Sequence, residues 1–142
     1  MKVLVMSIKP KYADAIYAGT KQFEFRKKPP TNLKALYLVY ESKPVSKITG
    51  TVTFCGSFTV RAGSMVDFIM RLMSVKKGAA ASMMGISEKE LISYAGGPNK
   101  PVTALMVDRA ERDPEYEKYR IRPPQNWGTI RAAMPKFAFR AD

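Results

Sequence analysis

The sequence predicts an α+β fold: a small β-barrel with flanking helices and a helical insertion at about residues 63–96. Three observations lead there. Residues 1–60 are rich in β-branched and aromatic residues broken into strand-length runs, residues 63–95 are rich in Met and Ala, and a strand pattern returns before a Pro- and Arg-rich tail. Strands, then helices, then a strand again is the order of an α+β domain rather than of alternating β-α-β units. A length of 142 residues with 46% hydrophobic composition suits one domain spanning 1–142 that builds its core without metals or disulfides.

Lys2 to Ile8 is a short apolar run ended by Lys9-Pro10, the pattern of a buried strand. Pro10 suits the first helical position, Ala13, Ile16 and Tyr17 keep helical spacing, and Gly19 closes the helix. Gln22 to Arg26 alternates polar and aromatic residues until Pro29-Pro30, the period of a half-buried strand. Ala35 to Glu41 is the strongest strand signal, and Lys47 to Phe54 begins a second long strand after Lys43-Pro44. Gly50 marks a bulge or bend, and Gly56 and Gly63 bracket a further turn or short strand. Ser64-Met65-Val66-Asp67 and Ser87-Glu88-Lys89-Glu90 read as helix starts with capping-box logic. Gly96-Gly97-Pro98 stops the second, Pro101 to Val107 is a late strand, and Asp108 to Tyr119 a loop or short helix. Arg122 to Gly128 is a rigid turn before a last element ending in Phe137-Ala138-Phe139.

The charge balance narrows function. Twenty-four Lys and Arg against 12 Asp and Glu give a net +12, more than solubility needs, so a polyanionic partner is expected. An acidic protein surface is the rival partner. There are no histidines, which removes Ser-His-Asp and Cys-His catalysis and His-ligated zinc. No Asp/Glu cluster has metal-site spacing, and no cofactor is implied; Gly96-Gly97 precedes a proline rather than a helix and so lacks the context of a phosphate loop. The single Cys55 sits in an alternating stretch and reads as a buried structural thiol in a reducing compartment. No apolar run reaches the ~20 residues of a membrane span, so a cytoplasmic protein with no membrane partner is expected.

The densest constellation of chemistry-bearing residues is Ser7-Ile8-Lys9-Pro10 together with Gly19 to Arg26. At strand period Lys21 points with Phe23, away from Glu24 and Arg26; a strand starting one residue later, or a bulge at Thr20-Lys21, lets Lys21 converge with Glu24. Lys21 offers a point charge, or a nucleophile if burial lowers its pKa. Glu24 offers an ion-pair partner or a base, and Arg26 a fork for phosphate or a base edge. Interleaved tyrosines, with Trp127, supply stacking faces for unpaired bases. Met65 to Met84 holds five of the nine methionines and reads as core packing in an inserted helix pair, or as a mobile lid hinged at Gly78 and Gly85.

Ser7 to Ile16, followed by Gly19-x-Lys21-x-x-Glu24-x-Arg26, resembles the opening of the ASCH domain, a PUA-like β-barrel superfamily. Tyr40-Glu41-Ser42-x-Pro44-Val45-x-Lys47-Ile48-x-Gly50 resembles its next block, and the resemblance spans roughly residues 2–56. It implies a barrel with a cleft lined by Lys21, Glu24 and Arg26 that binds RNA or a modified nucleoside or nucleotide, with Ser7, Lys9, Tyr40 and Ser42 as further binding candidates. Some relatives hydrolyse N4-acetylcytidine with a lysine and others are linked to RNA cleavage, so the alternative is an amidohydrolase or ribonuclease using Lys21 and Glu24. The position that is threonine in the hydrolase branch is Glu24 here. That carboxylate favours a Lys21 protonated at pH 7, working as an anion-binding cation.

Overall fold

The computed structural model describes residues 2–118. The elements expected at Arg122–Gly128 and at Phe137–Phe139, with Tyr119 and Trp127, lie outside the described residues. Strand β1 (Val3–Ile8) leads into helix α1 (Pro10–Tyr17), then β2 (Phe23–Arg26), β3 (Leu36–Glu41) and the long β4 (Lys47–Arg61). A 3₁₀ turn (Ala62–Ser64) opens α2 (Met65–Met73), α3 (Lys77–Met84) and α4 (Glu88–Ala95), and β5 (Pro101–Arg112) precedes a second 3₁₀ turn (Pro114–Lys118). The insertion therefore carries three helices rather than a pair.

The start and stop chemistry explains most boundaries. Pro10 occupies the first turn of α1, and Gly19 takes a left-handed φ of +82° just after its cap. Ser87 Oγ accepts a hydrogen bond from the Glu90 backbone N–H at 3.0 Å, the expected cap of α4. Ser64 makes no such bond: the preceding 3₁₀ turn already places it at φ −104°, ψ 0°, outside the extended conformation that a capping side chain needs. β4 runs straight through Gly56 because register shifts on both sides of Phe54 bend the strand without ending it. β5 likewise continues past Val107 to Arg112, since β4 offers a partner as far as Gly50.

All five strands form one sheet in the order β1-β3-β4-β5-β2, with β1 parallel to β3 and the other neighbours antiparallel. The expected closed barrel is not formed: β1 and β2 remain edges. In a flat sheet those edges would stand four strand spacings apart, roughly 19 Å. Yet Arg26 Nη2 of β2 donates to the Ser7 carbonyl of β1 at 2.7 Å. The sheet curls far enough to bring its edges within reach of a side chain, and stops short of a backbone ladder.

Alternation along the strands sorts the core. Leu4, Met6 and Ile8 of β1 and Tyr37 and Val39 of β3 pack with Ala13 and Ile16 of α1. Val5, Leu38 and Tyr40 instead join Ile48 on the side where Tyr116 lies. Phe23 and Phe25 meet Met65, Ile69, Met84 and Leu91 of the inserted helices, so the methionine-rich segment packs as core. Cys55 is exposed, against expectation. Phe54 on one side of it takes the buried position, and the shifts flanking Phe54 leave Cys55 without a paired residue on β5.

The β3–β4 ladder passes from Val39↔Gly50 to Tyr40↔Ile48, leaving Thr49 as the extra residue of a bulge. Tyr17 and Thr49 hydroxyls meet there at 2.9 Å, and Arg112 joins the buried Glu41 at 3.0 Å and also Asp14 of α1. A Cβ on Gly50 would stand 2.1 Å from the Glu111 carbonyl oxygen and 2.7 Å from Tyr17 Oη. Backbone on one side and a hydrogen-bonded ring on the other leave it nowhere to go. Gly50→Ala is expected to cost about 1–3 kcal/mol of stability, read as a lower urea midpoint; an unchanged midpoint would show that the bulge yields.

Candidate functional site

The turn between α1 and β2 decides where the signature lysine goes. After Gly19, the backbone N–H groups of Thr20 and Lys21 both donate to the Ala15 carbonyl at 3.1 Å, and Gln22 N–H donates to the Met83 carbonyl at 2.8 Å. The strand starts only at Phe23. Lys21 is thus released from strand alternation and lines one cleft with Glu24 and Arg26.

That cleft has a volume of about 550 Å³ and lies at the seam between the sheet edges. Ser7, Lys9, Lys21, Glu24, Arg26 and Ser42 all line it. Tyr40 does not: its ring belongs to the Val5–Leu38–Ile48 cluster. The helices complete the walls with Tyr12 of α1, with Glu90, Ser93 and Tyr94 of α4, and with Ile86 between α3 and α4. Sequence patterns flagged Glu90 only as a cap residue, Tyr12 as part of the Ser7 to Ile16 stretch and one of the interleaved tyrosines, and Tyr94 only as one of those tyrosines.

Lys21 is the most buried charge in the cleft, at 1% exposure. Its Nζ donates to the Met84 carbonyl at 2.6 Å and lies 4.9 Å from the ring centres of both Tyr12 and Phe25. Main-chain oxygen and two aromatic faces replace only part of its hydration, so burial lowers its pKa from 10.5 to about 8; Glu24 opposes this shift and Arg26 adds slightly to it. The protonated form still prevails at pH 7, roughly nine parts in ten. Gly85, whose φ is +63°, sits against the lysine stem: a Cβ there would approach its Cβ, Cγ and Cδ within 2.6–2.8 Å. The left-handed end of α3 is what lets the lysine lie under the Met84 carbonyl.

Glu24 is buried, and its Oε2 accepts from Arg26 Nη2 at 2.8 Å, while the same nitrogen reaches the Ser7 carbonyl. The cleft is therefore mixed in charge, with Lys9, Lys21 and Arg26 against Glu24 and Glu90, rather than uniformly basic. Tyr94 accepts a hydrogen bond from the Lys27 backbone N–H at 3.2 Å, which ties α4 to the end of β2. Among the described residues no group of three His, Cys, Asp or Glu could hold a metal ion, and no helix is long and apolar enough to cross a membrane.

Residues 6–64 match the ASCH domain. The match takes in β1 through β4 and with them the Lys21, Glu24 and Arg26 signature, so the resemblance to the ASCH family holds. ASCH is a PUA-like family whose members in general bind RNA. The crystal structure of ASCH from Zymomonas mobilis is similar over 99% of this chain and 95% of that one, with a TM-score of 0.70 at 21% identity. A mutant of the Zymomonas mobilis protein gives a TM-score of 0.66 at 22% identity, over 97% of this chain and 96% of that one. At such identities the likeness speaks for the ASCH fold alone. Comparison with curated proteins gives no match.

The buried lysine sets a pH signature. Its folded-state pKa of about 8 lies below the unfolded 10.5, so between those values the unfolded chain binds more protons and stability rises with pH. Tyr17 and Tyr37, both pushed up to about 12 by burial, act the opposite way above pH 10, which leaves pH 8–10 to Lys21. Over that window the stability of the native protein relative to Lys21→Met is expected to rise by about 2 kcal/mol. Urea unfolding of both proteins at several pH values measures it, and a flat difference would mean an unperturbed lysine.

Proposed function

We propose that the seam cleft binds RNA or a modified nucleoside or nucleotide. The observation that carries this reading is the pairing of flat aromatic walls with convergent polar groups in one concavity. Tyr12, Phe25 and Tyr94 line the cleft as aromatic rings able to stack with a heterocycle, while Lys21, Arg26 and Glu24 line it as donors and an acceptor. A nucleobase needs that combination, because its faces stack and its edge must find hydrogen-bond partners. Glu24 accepts from an exocyclic amine or ring N–H, and the two cations receive carbonyl or phosphate oxygens. The net +12 of the chain adds a long-range attraction for a polyanion. The exposed Cys55 thiol accords with a reducing, cytoplasmic setting.

One observation favours hydrolysis as a second reading: a lysine titrating near pH 8 holds a neutral fraction at working pH and can take a proton. In that role Lys21 is the base and Glu24 orients the substrate, whether an acylated pyrimidine or an RNA strand. The two readings part on the same variants. Under binding alone, Lys21→Ala and Arg26→Ala each weaken a bound ribonucleoside or short single-stranded RNA by about 1–3 kcal/mol, with no turnover to lose. Under hydrolysis, wild-type turnover rises with pH towards a plateau above 8 and vanishes in Lys21→Ala while affinity largely survives. Calorimetric titration beside a mass-spectrometric turnover assay separates them. Absence of both binding and turnover for every nucleoside and RNA offered would reject the cleft as a nucleic-acid site.

A further inference from the structure

A second cavity of about 480 Å³ adjoins the first behind a shared wall of Tyr12, Ile86 and Glu90. It opens between α1, α3 and the start of α4, and it holds Lys11, Lys77, Ser82 and Ser87. One ring serves both cavities: Lys21, which lines only the first, and Lys11, which lines only the second, each place Nζ 4.9 Å from the Tyr12 ring centre.

We infer that this second cavity takes the neighbouring nucleotide of a single RNA strand whose first base sits in the seam cleft. The inference rests on the reading of the first cleft, and it specifies the ligand as a strand rather than a free nucleoside. Three features point that way. Each cavity lies within the few hundred Å³ that a small ligand fills, so one nucleoside leaves the second unused. The two cavities meet at a wall that includes a tyrosine, and aromatic side chains are what successive bases stack on in single-strand sites. Beside Glu88 and Glu90, the second cavity carries two exposed lysines and two serine hydroxyls, donors for a phosphodiester and a 2′-hydroxyl.

The partition is easily rearranged. Glu90 accepts from Tyr12 Oη at 3.2 Å and pairs with Lys11 at 3.5 Å, with both charged side chains more than half exposed. Exposed pairs of this kind contribute little, so Lys11 can exchange the Glu90 carboxylate for a phosphate that crosses the wall.

The test compares ribonucleosides with the matching dinucleoside monophosphates by calorimetric titration of the full chain. Dinucleotides are expected to bind roughly tenfold more tightly than their nucleosides at low salt. Ala81→Trp, at an exposed position lining the second cavity, should abolish that gain and leave nucleoside affinity unchanged, and Lys77→Ala should reduce the gain severalfold. Equal affinities for nucleoside and dinucleotide, or a gain that survives Ala81→Trp, would overturn the second site while the first cleft stands. If neither ligand binds, the first cleft and this inference fall together.

Discussion

A single guanidinium holds the two edges of the sheet in relation to one another. Arg26 Nη2 takes the Ser7 carbonyl on β1 and the Glu24 carboxylate on β2, and the cleft lies at the seam that this bridge spans. A backbone ladder between β1 and β2 would have zipped the seam shut. A seam without any crosspiece would have let the edges part and flooded Glu24. An arginine fork is long enough to span the opening and presents several donors in one plane. The buried carboxylate in turn compensates the cation, so neither is left uncompensated in a half-dry site, where the cost would be large.

Lys21 illustrates how fold and chemistry constrain each other. Its ammonium sits where water is scarce because α1 ends in a tight turn and α3 ends in a left-handed glycine, and neither device has anything to do with charge. Burial of this kind lowers stability at neutral pH, and folded proteins keep such a group when the rest of the structure compensates. Here the compensation comes from the apolar cluster beneath it, where Phe23, Phe25, Met65, Ile69 and Met84 bury their side chains together. The inserted helices thus do two jobs. They supply most of that cluster, and they supply the main-chain oxygen that accepts the ammonium's hydrogen bond.

How much of this was legible in the sequence depended on whether side chains or main chain carried the information. Gly19, Pro10 and the alternation of Gln22 to Arg26 placed α1 and β2 almost to the residue, because proline and glycine punctuate by steric rules that hold locally. The bulge at Gly50 was equally visible. Cys55 was assigned to the wrong side, since a pleat inverts after each bulge and the shifts around Phe54 leave no local trace. The closed barrel failed for a similar reason: whether two edges pair depends on accumulated curl, a property of the whole sheet. In the cleft, Lys21, Glu24 and Arg26 could be grouped by motif. Their true geometry turned on whether the strand began at Gln22 or Phe23, a difference of one residue that periodicity cannot resolve. The Met84 carbonyl had no signal at all, since every residue has one.

That last contact places an unusual demand on the chain. The lysine reads position 84 through its peptide oxygen, so the chemical identity of the side chain there matters to the hydrophobic layer and not to the ammonium. What the ammonium requires is spacing. Ten residues separate the left-handed ends of α2 and α3, at Ser74 and Gly85, and adding or removing one would swing the oxygen away by about a quarter turn of helix. The catalogue of tolerated residues in α3 can be broad while its tolerated length is narrow, and indels rather than substitutions mark the boundary within which this site can drift.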